Sequence, residues 1–275
     1  GNVYVAEYGN NRIQVFDPQG RFLRKWGTEG SEDGEFRTPQ GLGIGIEGDV
    51  YISDHWNDRV QVFDQEGRFL FGWGARGGGE GEFSQPQGLA IDREDNVYVS
   101  EYGNNRVQVF DPQGRFLRRW GSEGSGDGEF SQPQGLAIGD EGNVYVSDQG
   151  NDRIQVFDSG GRFLRKWGTG GSEDGEFIRP QGLAIDREGD VYVSEYGNGR
   201  VQVFDAQGRF LRKWGTRGNG DGEFSQPQGL AIDSGGDVYV SDQGNDRVQV
   251  FSRQGRFLRK WGSEGIEDGE FSQPR

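Results

Sequence analysis

The chain has 275 residues, of which 45 are acidic and 30 are basic, so its formal net charge is -15 at pH 7. This charge repels phosphate backbones and anionic membranes, which argues against a nucleic-acid-binding protein. The sequence contains no Cys and a single His, which excludes a disulfide framework, a thiolate nucleophile and a multi-His zinc site. No apolar run approaches the roughly 18 residues of a membrane span.

Tryptophan recurs every 47 residues, at Trp26, Trp73, Trp120, Trp167, Trp214 and Trp261. A fixed period of this length is typical of a repeat protein, and the chain offers no linker at which it could be divided. We therefore expect one domain over residues 1–275. Its six units are predicted at 1–27 (incomplete), 41–73, 88–120, 135–167, 182–214 and 229–261, with a closing connection at 262–275.

The third unit shows the strand pattern most clearly. Apolar residues alternate with polar ones in Asn96–Glu101 and Arg106–Phe110, which predicts strands with one buried face. Two further short strands are predicted at Gly88–Asp92 and Arg115–Trp120, with turn residues between the strands. Each unit is thus a four-stranded antiparallel meander that buries both faces only against its neighbours. Six such units predict an all-β fold, a six-bladed β-propeller.

The motifs GLAID, NVYVSE, NRVQVFD and GRFLRRWG follow one another in this unit and recur along the chain. They resemble the NHL repeat, and the resemblance implies a propeller, commonly six-bladed, for essentially the whole chain. The family includes an amidating lyase with a histidine-bound metal and RNA readers with basic faces, and the single His and the net charge argue against both roles. The family's signature histidine is replaced here by Asn11, Asp58, Asn105, Asp152, Gly199 and Asp246.

The first unit begins at its second strand, since Gly1 corresponds to Asp95 of the third unit. Its innermost strand, equivalent to Gly88–Glu94, is absent from the sequence, and the last residues, Pro274 and Arg275, come just before such a strand would begin. An unpaired edge near the axis is a template for strand pairing. We expect sequence outside this segment, or another chain, to pair with it.

The loop after the second strand alternates between two types, with Tyr in odd units and His or Gln in even ones. Trp56 is the largest departure, since the other five loops have Gly at its position. An exposed Trp at a loop tip is typical of contact hot spots, although drift in a tolerant loop is the alternative. We predict a binding face formed by Tyr8, His55, Trp56, Tyr102, Gln149, Tyr196 and Gln243.

Two further sets of residues are candidate sites. The first precedes the innermost strands and is expected to ring one mouth of the channel, binding a polar ligand or satisfying backbone groups: Gln40, Gln87, Gln134, Gln181 and Gln228. The second comprises acid-glycine connections between units, such as Glu32–Glu35, whose oxygens are of the kind that calcium takes. The alternative for these connections is a solvated turn whose Phe fills the gap between blades, since no EF-hand spacing occurs.

These observations favour a non-enzymatic scaffold that mediates protein-protein interaction or assembly through its loop face. No distinctive catalytic set is present, and acid-Arg pairs such as Asp148 and Arg153 recur in every unit, which is typical of a structural clamp. We expect a protein partner or self-association, no catalytic residue, no resident metal or cofactor, no nucleic acid and no membrane insertion. A small-ligand or calcium sensor at the channel mouth and a metal-dependent enzyme at the axis remain alternatives. The resemblance favours an extracytoplasmic or secreted location.

Overall fold

The computed structural model describes all residues from 1 to 275 and contains 23 short β-strands and three short 3-10 turns. The strands form six antiparallel sheets, five with four strands and one with three. Each sheet is one blade, and the innermost strands surround a central channel. The predicted all-β six-bladed propeller with one incomplete blade is confirmed. The structure contains no helix of the length and apolarity needed to cross a membrane.

The first three blades follow one another along the chain. Blade 1 consists of β1 (Val3–Glu7), β2 (Arg12–Phe16) and β3 (Phe22–Trp26). Blade 2 consists of β4 (Pro39–Ile44), β5 (Val50–Asp54), β6 (Arg59–Phe63) and β7 (Phe69–Trp73). Blade 3 consists of β8 (Pro86–Ile91), β9 (Val97–Glu101), β10 (Arg106–Phe110) and β11 (Phe116–Trp120).

The remaining blades repeat this order. Blade 4 consists of β12 (Pro133–Ile138), β13 (Val144–Asp148), β14 (Arg153–Phe157) and β15 (Phe163–Trp167). Blade 5 consists of β16 (Pro180–Ile185), β17 (Val191–Glu195), β18 (Arg200–Phe204) and β19 (Phe210–Trp214). Blade 6 consists of β20 (Pro227–Ile232), β21 (Val238–Asp242), β22 (Arg247–Phe251) and β23 (Phe257–Trp261).

The innermost strands begin earlier than the sequence pattern predicts. β8 starts at Pro86 rather than Gly88, because Pro86 already pairs with Glu101 of β9. The register then shifts before Leu89 pairs with Val99. A proline is tolerated there because it is the first residue of the strand.

The hydrophobic core consists of six layers, each between two neighbouring blades. Between blades 4 and 5, for example, Ile154 and Val156 of β14 pack with Val191 and Val193 of β17, and Phe177 enters from the connection. The Phe residues of the connections are fully buried, which agrees with the solvated-turn alternative for these connections: Phe36, Phe83, Phe130, Phe177, Phe224 and Phe271. A blade therefore buries its faces only when both neighbours are present.

The last residues of the chain close the ring on blade 1. The backbone N–H groups of Tyr8 and Gly9 donate to the carbonyls of Gln273 and Ser272 at 3.2 and 3.1 Å, and the N–H of Arg275 donates to the carbonyl of Ala6 at 2.8 Å. Residues 272–275 thus lie where the innermost strand of a complete blade begins. Pairing of a further strand along Val3–Val5 stays a prediction.

Candidate functional site at the channel mouth

Three sets of residues, each with one member per blade, surround one mouth of the channel. The inner set lies at the second residue of the five innermost strands and at the corresponding position in the C-terminal segment, and it comprises Gln40, Gln87, Gln134, Gln181, Gln228 and Arg275. The middle set lies two residues earlier and comprises Thr38, Gln85, Gln132, Arg179, Gln226 and Gln273. The outer set lies in the loops that join the second and third strands and comprises Tyr8, His55, Tyr102, Gln149, Tyr196 and Gln243.

All members of these sets except Thr38, together with Trp56, line a single cavity of about 490 Å³. Every residue of the predicted loop face and of the predicted glutamine ring is therefore in one place. The sequence pattern indicates two separate candidate sites, and the structure brings them together in one cavity. It also adds residues that the sequence analysis did not single out: Gln85, Gln132, Arg179, Gln226, Gln273 and Arg275.

A buried ion pair holds each outer loop in position. In blade 4, Nε of Arg153 donates to Oδ2 of Asp148 at 2.7 Å. The Nη atoms of the same guanidinium donate to the carbonyls of Ser125 at 2.6 Å, Gly126 at 2.8 Å and Glu129 at 2.8 Å in the preceding connection. The other blades repeat the pair: Glu7 with Arg12, Asp54 with Arg59, Glu101 with Arg106, Glu195 with Arg200 and Asp242 with Arg247. The predicted structural clamp is confirmed.

Side chains at five of the six positions of the family's signature histidine orient the middle set, and Gly199 is the exception. The carboxylate of Asp152 accepts a hydrogen bond from the backbone N–H of Arg179 at 2.8 Å, and the side-chain oxygen of Asn105 accepts one from Gln132 at 2.8 Å. Arg179 and Gln132 have positive φ angles of 53° and 55°, a conformation that non-glycine residues adopt rarely. The short polar side chain therefore fixes an otherwise unfavourable backbone at the mouth.

His55 and Trp56 have opposite environments although they are adjacent. Trp56 is 53% exposed, whereas His55 is only 6% exposed. Nδ1 of His55 lies 3.0 Å from Nε2 of Gln87 and 3.3 Å from the carbonyl oxygen of Pro86. Burial lowers the pKa of His55 to about 4, so the imidazole is neutral at pH 7.

The glutamine amides of the inner set are buried and pair with the outer set in the other even blades. Nε2 of Gln134 donates to Oε1 of Gln149 at 3.2 Å, and Nε2 of Gln228 donates to Oε1 of Gln243 at 3.0 Å. These contacts leave further donors and acceptors of each amide free to face the cavity. The mouth therefore carries an ordered set of neutral hydrogen-bonding groups.

The carboxylates of the acid-glycine connections bind to nearby groups of the protein itself. Oε2 of Glu129 accepts a hydrogen bond from the backbone N–H of Gly126 at 2.8 Å, and Asp127 forms an ion pair with Nζ of Lys166 at 2.7 Å. The chain contains no cluster of three or more His, Asp or Glu side chains arranged to hold a metal ion. Calcium binding stays a prediction without a preformed carboxylate cage.

The family comparison matches the blade pattern. The model of the NHL repeat matches residues 83–110, 130–157, 177–204 and 224–251. Each matched segment contains the connection Phe and the first three strands of one blade, in blades 3 to 6. The chain is an NHL-repeat propeller.

Solved structures similar to this NHL-repeat propeller have low sequence identity. A catalytically inactive virginiamycin B lyase from Staphylococcus aureus, with quinupristin, is 14% identical with a TM-score of 0.67, over 94% of this chain and 80% of the other. A chain from a nidogen/laminin complex is 14% identical with a TM-score of 0.73, over 99% and 97%. A gluconolactonase from Xanthomonas campestris is 16% identical with a TM-score of 0.61, over 92% and 80%. These likenesses concern the fold alone, and a search of curated proteins gave no match.

Proposed function

We propose that this NHL-repeat propeller is a non-enzymatic binding module that recognises a protein partner through the loop face around its channel mouth. The observation that carries the proposal is the half-exposed indole of Trp56 at the rim of the cavity. Burying a large aromatic side chain against a partner is a frequent source of binding energy at protein interfaces.

The loop that carries Trp56 is rigid by construction. The backbone N–H of Trp56 donates to the carbonyl of Arg37 at 3.1 Å. The ring centres of Trp56 and the buried His55 lie 5.1 Å apart, with the two rings nearly perpendicular. The clamp between Asp54 and Arg59 fixes the ends of the same loop. An exposed side chain on a rigid loop loses little conformational entropy when a partner binds.

Other apolar side chains are exposed on the connections of the same face. Ile178 is 38% exposed and Ile266 is 69% exposed. The carbonyl of Ile178 accepts the backbone N–H of Gly197, next to Tyr196, at 3.0 Å, which places it beside the outer set. One of the similar structures comes from a complex of two proteins, nidogen and laminin, which is consistent with a propeller used for assembly.

Two of the similar structures are enzymes, a lyase and a gluconolactonase, so catalysis is the competing proposal. The arrangement of acids and bases in this chain favours binding. The lining of the mouth contains no Asp or Glu, the loop acids are held by arginines, and the only histidine is packed against Gln87. No exposed acid-base pair is left at the mouth to transfer a proton.

The test uses Trp56→Gly, which restores the residue of the other five loops. Partners are isolated with the wild-type protein, purified, and titrated calorimetrically against both proteins, while light scattering measures self-association. We expect Trp56→Gly to weaken binding by about tenfold or more, the size of an interface hot spot. Leu70→Ala is the matched control, because Leu70 is 45% exposed on the outer strand β7. Equal affinities of the wild type and Trp56→Gly for every isolated partner, with no self-association, would refute the proposal.

A further inference from the structure

The lining of the mouth has a charge opposite to that of the whole protein. The chain carries 45 acidic and 30 basic residues, yet the side chains that line the cavity at the mouth include two arginines, Arg179 and Arg275, and no Asp or Glu. A second cavity of about 230 Å³, deeper in the channel, also lacks Asp and Glu side chains and shares Arg275. The channel entrance is therefore a basic site in an acidic protein.

Arg275 stands where the other five blades have glutamine. Its Nη1 atom donates to Oε1 of Gln228 at 2.8 Å, and its guanidinium carbon lies 5.2 Å from the centre of the Tyr8 ring. Its Nε atom is buried and has no hydrogen-bond partner. Burial lowers the pKa of Arg275 to about 10, so the guanidinium is still charged at pH 7.

Arg179 is the second cation of the mouth. It is exposed, and its guanidinium carbon lies 5.8 Å from the centre of the Tyr196 ring. No carboxylate forms a salt bridge with Arg179 or Arg275, whereas the arginines of the loop clamps are paired. Arg275 therefore has a buried donor without a partner and no side-chain counter-ion, an arrangement that is unfavourable for a guanidinium removed from water.

We propose that the channel mouth binds a small organic anion, with its carboxylate or phosphate on Arg275 and Arg179 and its hydroxyl groups on the ring of glutamine amides. Guanidinium groups match the geometry of oxyanions, and an amide both donates and accepts, as a hydroxyl group requires. A volume of about 490 Å³ is within the range of pockets for small molecules. The same lining lacks the carboxylates that calcium needs, so an anion fits where calcium does not.

This inference goes beyond the proposed function, because it requires no protein partner. The experiment titrates the purified chain calorimetrically with D-glucose, D-glucuronate and D-glucose 6-phosphate. The three probes share one sugar ring and differ in their oxyanion, so they separate a carboxylate ligand from a phosphate ligand. We expect at least one anion to bind about tenfold or more tightly than glucose, the effect of a charge-assisted hydrogen bond.

The variants Arg275→Gln and Arg179→Gln install residues that other blades already carry at these positions, so the fold is expected to persist. We expect Arg275→Gln to weaken binding of the anion by about tenfold or more and Arg179→Gln to weaken it less, because Arg179 is more exposed. Arg37→Ser removes the same charge from an exposed position that does not line the cavity, and it installs the serine of most other blades.

Three outcomes would overturn the inference. These are equal binding of glucose and both anions, loss of binding in Arg37→Ser as large as in Arg275→Gln, and no saturable binding of either anion at millimolar concentration. Because no partner is present in these titrations, a failure of the protein-recognition proposal leaves their result unchanged. If no anion binds, the role of Trp56 in protein recognition is still decided by the titrations of Trp56→Gly.

Discussion

Nδ1 of His55 lies 3.0 Å from Nε2 of Gln87, across the junction between blades 2 and 3. In blades 4 and 6 the position of His55 is occupied by glutamine, which accepts a hydrogen bond from the inner glutamine of its own blade. The single histidine instead contacts the inner glutamine of the next blade. Its protonation would place a charge in a buried site beside another cation, Arg275.

We expect His55→Gln to reduce the loss of stability in acid. The pKa of His55 is about 4 in the folded chain and 6.5 when unperturbed, so the unfolded chain binds this proton first as the pH falls. The contribution of the neutral imidazole is complete above pH 6.5 and is lost progressively between pH 6.5 and about 4. Over this pH range the contribution of His55 to the free energy of unfolding falls by about 3 kcal/mol in total.

The measurement is the free energy of unfolding in urea at about pH 7 and about pH 4.5, where the linkage of His55 is mostly expressed. Protonation of the carboxylates destabilises the wild type and His55→Gln alike. The contribution of His55 is therefore given by the difference between the pH dependences of these two proteins. Identical pH dependences would show that the imidazole is not desolvated in solution.

Removing a clamp arginine is expected to be far more damaging than removing a surface arginine of the same blade. Arg153→Ala leaves the fully buried Asp148 without its partner and should lower the free energy of unfolding by about 3–5 kcal/mol. Arg162→Ala removes an arginine whose side chain is 79% exposed beside Asp158 and should lower it by less than about 1 kcal/mol. Urea denaturation of the two variants makes the comparison, and equal losses would contradict the clamp.

The innermost strands approach so closely that a methyl group does not fit between them. A Cβ atom on Gly135 would lie 2.3 Å from the backbone oxygen of Gln181 in the next blade. Gly135→Ala should therefore lower the free energy of unfolding by about 2 kcal/mol or more. Gly78→Ala is the control, since a Cβ there would meet only Oδ1 of Asn104 at 3.9 Å, and its effect should be within about 0.5 kcal/mol. A fully tolerated Gly135→Ala would indicate that the channel is wider in solution.

The inner edge of β1 should accept a strand. Appending Gly-Leu-Ala-Ile-Asp-Arg-Glu, the sequence of residues 88–94, after Arg275 continues the pairing that Arg275 begins with Ala6. Burial of the added Leu and Ile should stabilise the chain by about 2–3 kcal/mol and raise Tm by about 5–10 °C. The same extension with Ser in place of Leu and Ile is the control. If both extensions leave Tm unchanged, this edge does not take up a strand.

Most of the fold is predictable because its determinants are local. The alternation in Val97–Glu101 and Arg106–Phe110 sets strand pairing within one blade, and the 47-residue period sets the number of blades. Alternation does not predict the early start of β8, because Pro86 joins its ladder through an irregular register. The sequence also suggests the buried Phe of each connection, as part of the solvated-turn alternative, since a repeated apolar residue in a polar segment has few other roles.

The candidate site is less predictable from sequence. The glutamine ring and the outer loop residues are visible as repeats, but Arg275 was missed although it lies 47 residues after Gln228 and so completes that ring. Arg179 is not apparent from the sequence because the middle set varies in residue type and has no alternating pattern, and the positive φ that its members share is seen only in the structure. The burial of His55 depends on packing against Gln87, which belongs to the next blade.

The sequence by itself determined the repeat, the meander within each blade and the number of blades, because these follow from local alternation and from a 47-residue period along the chain. Only the tertiary structure decided that Tyr8 and Arg275 meet, with 5.2 Å between the ring centre and the guanidinium, and that two separate residue sets form one basic cavity. The physical reason is ring closure. Each blade contributes only a few side chains to the mouth, and their distances are fixed when the blade layers pack and the last blade docks on the first.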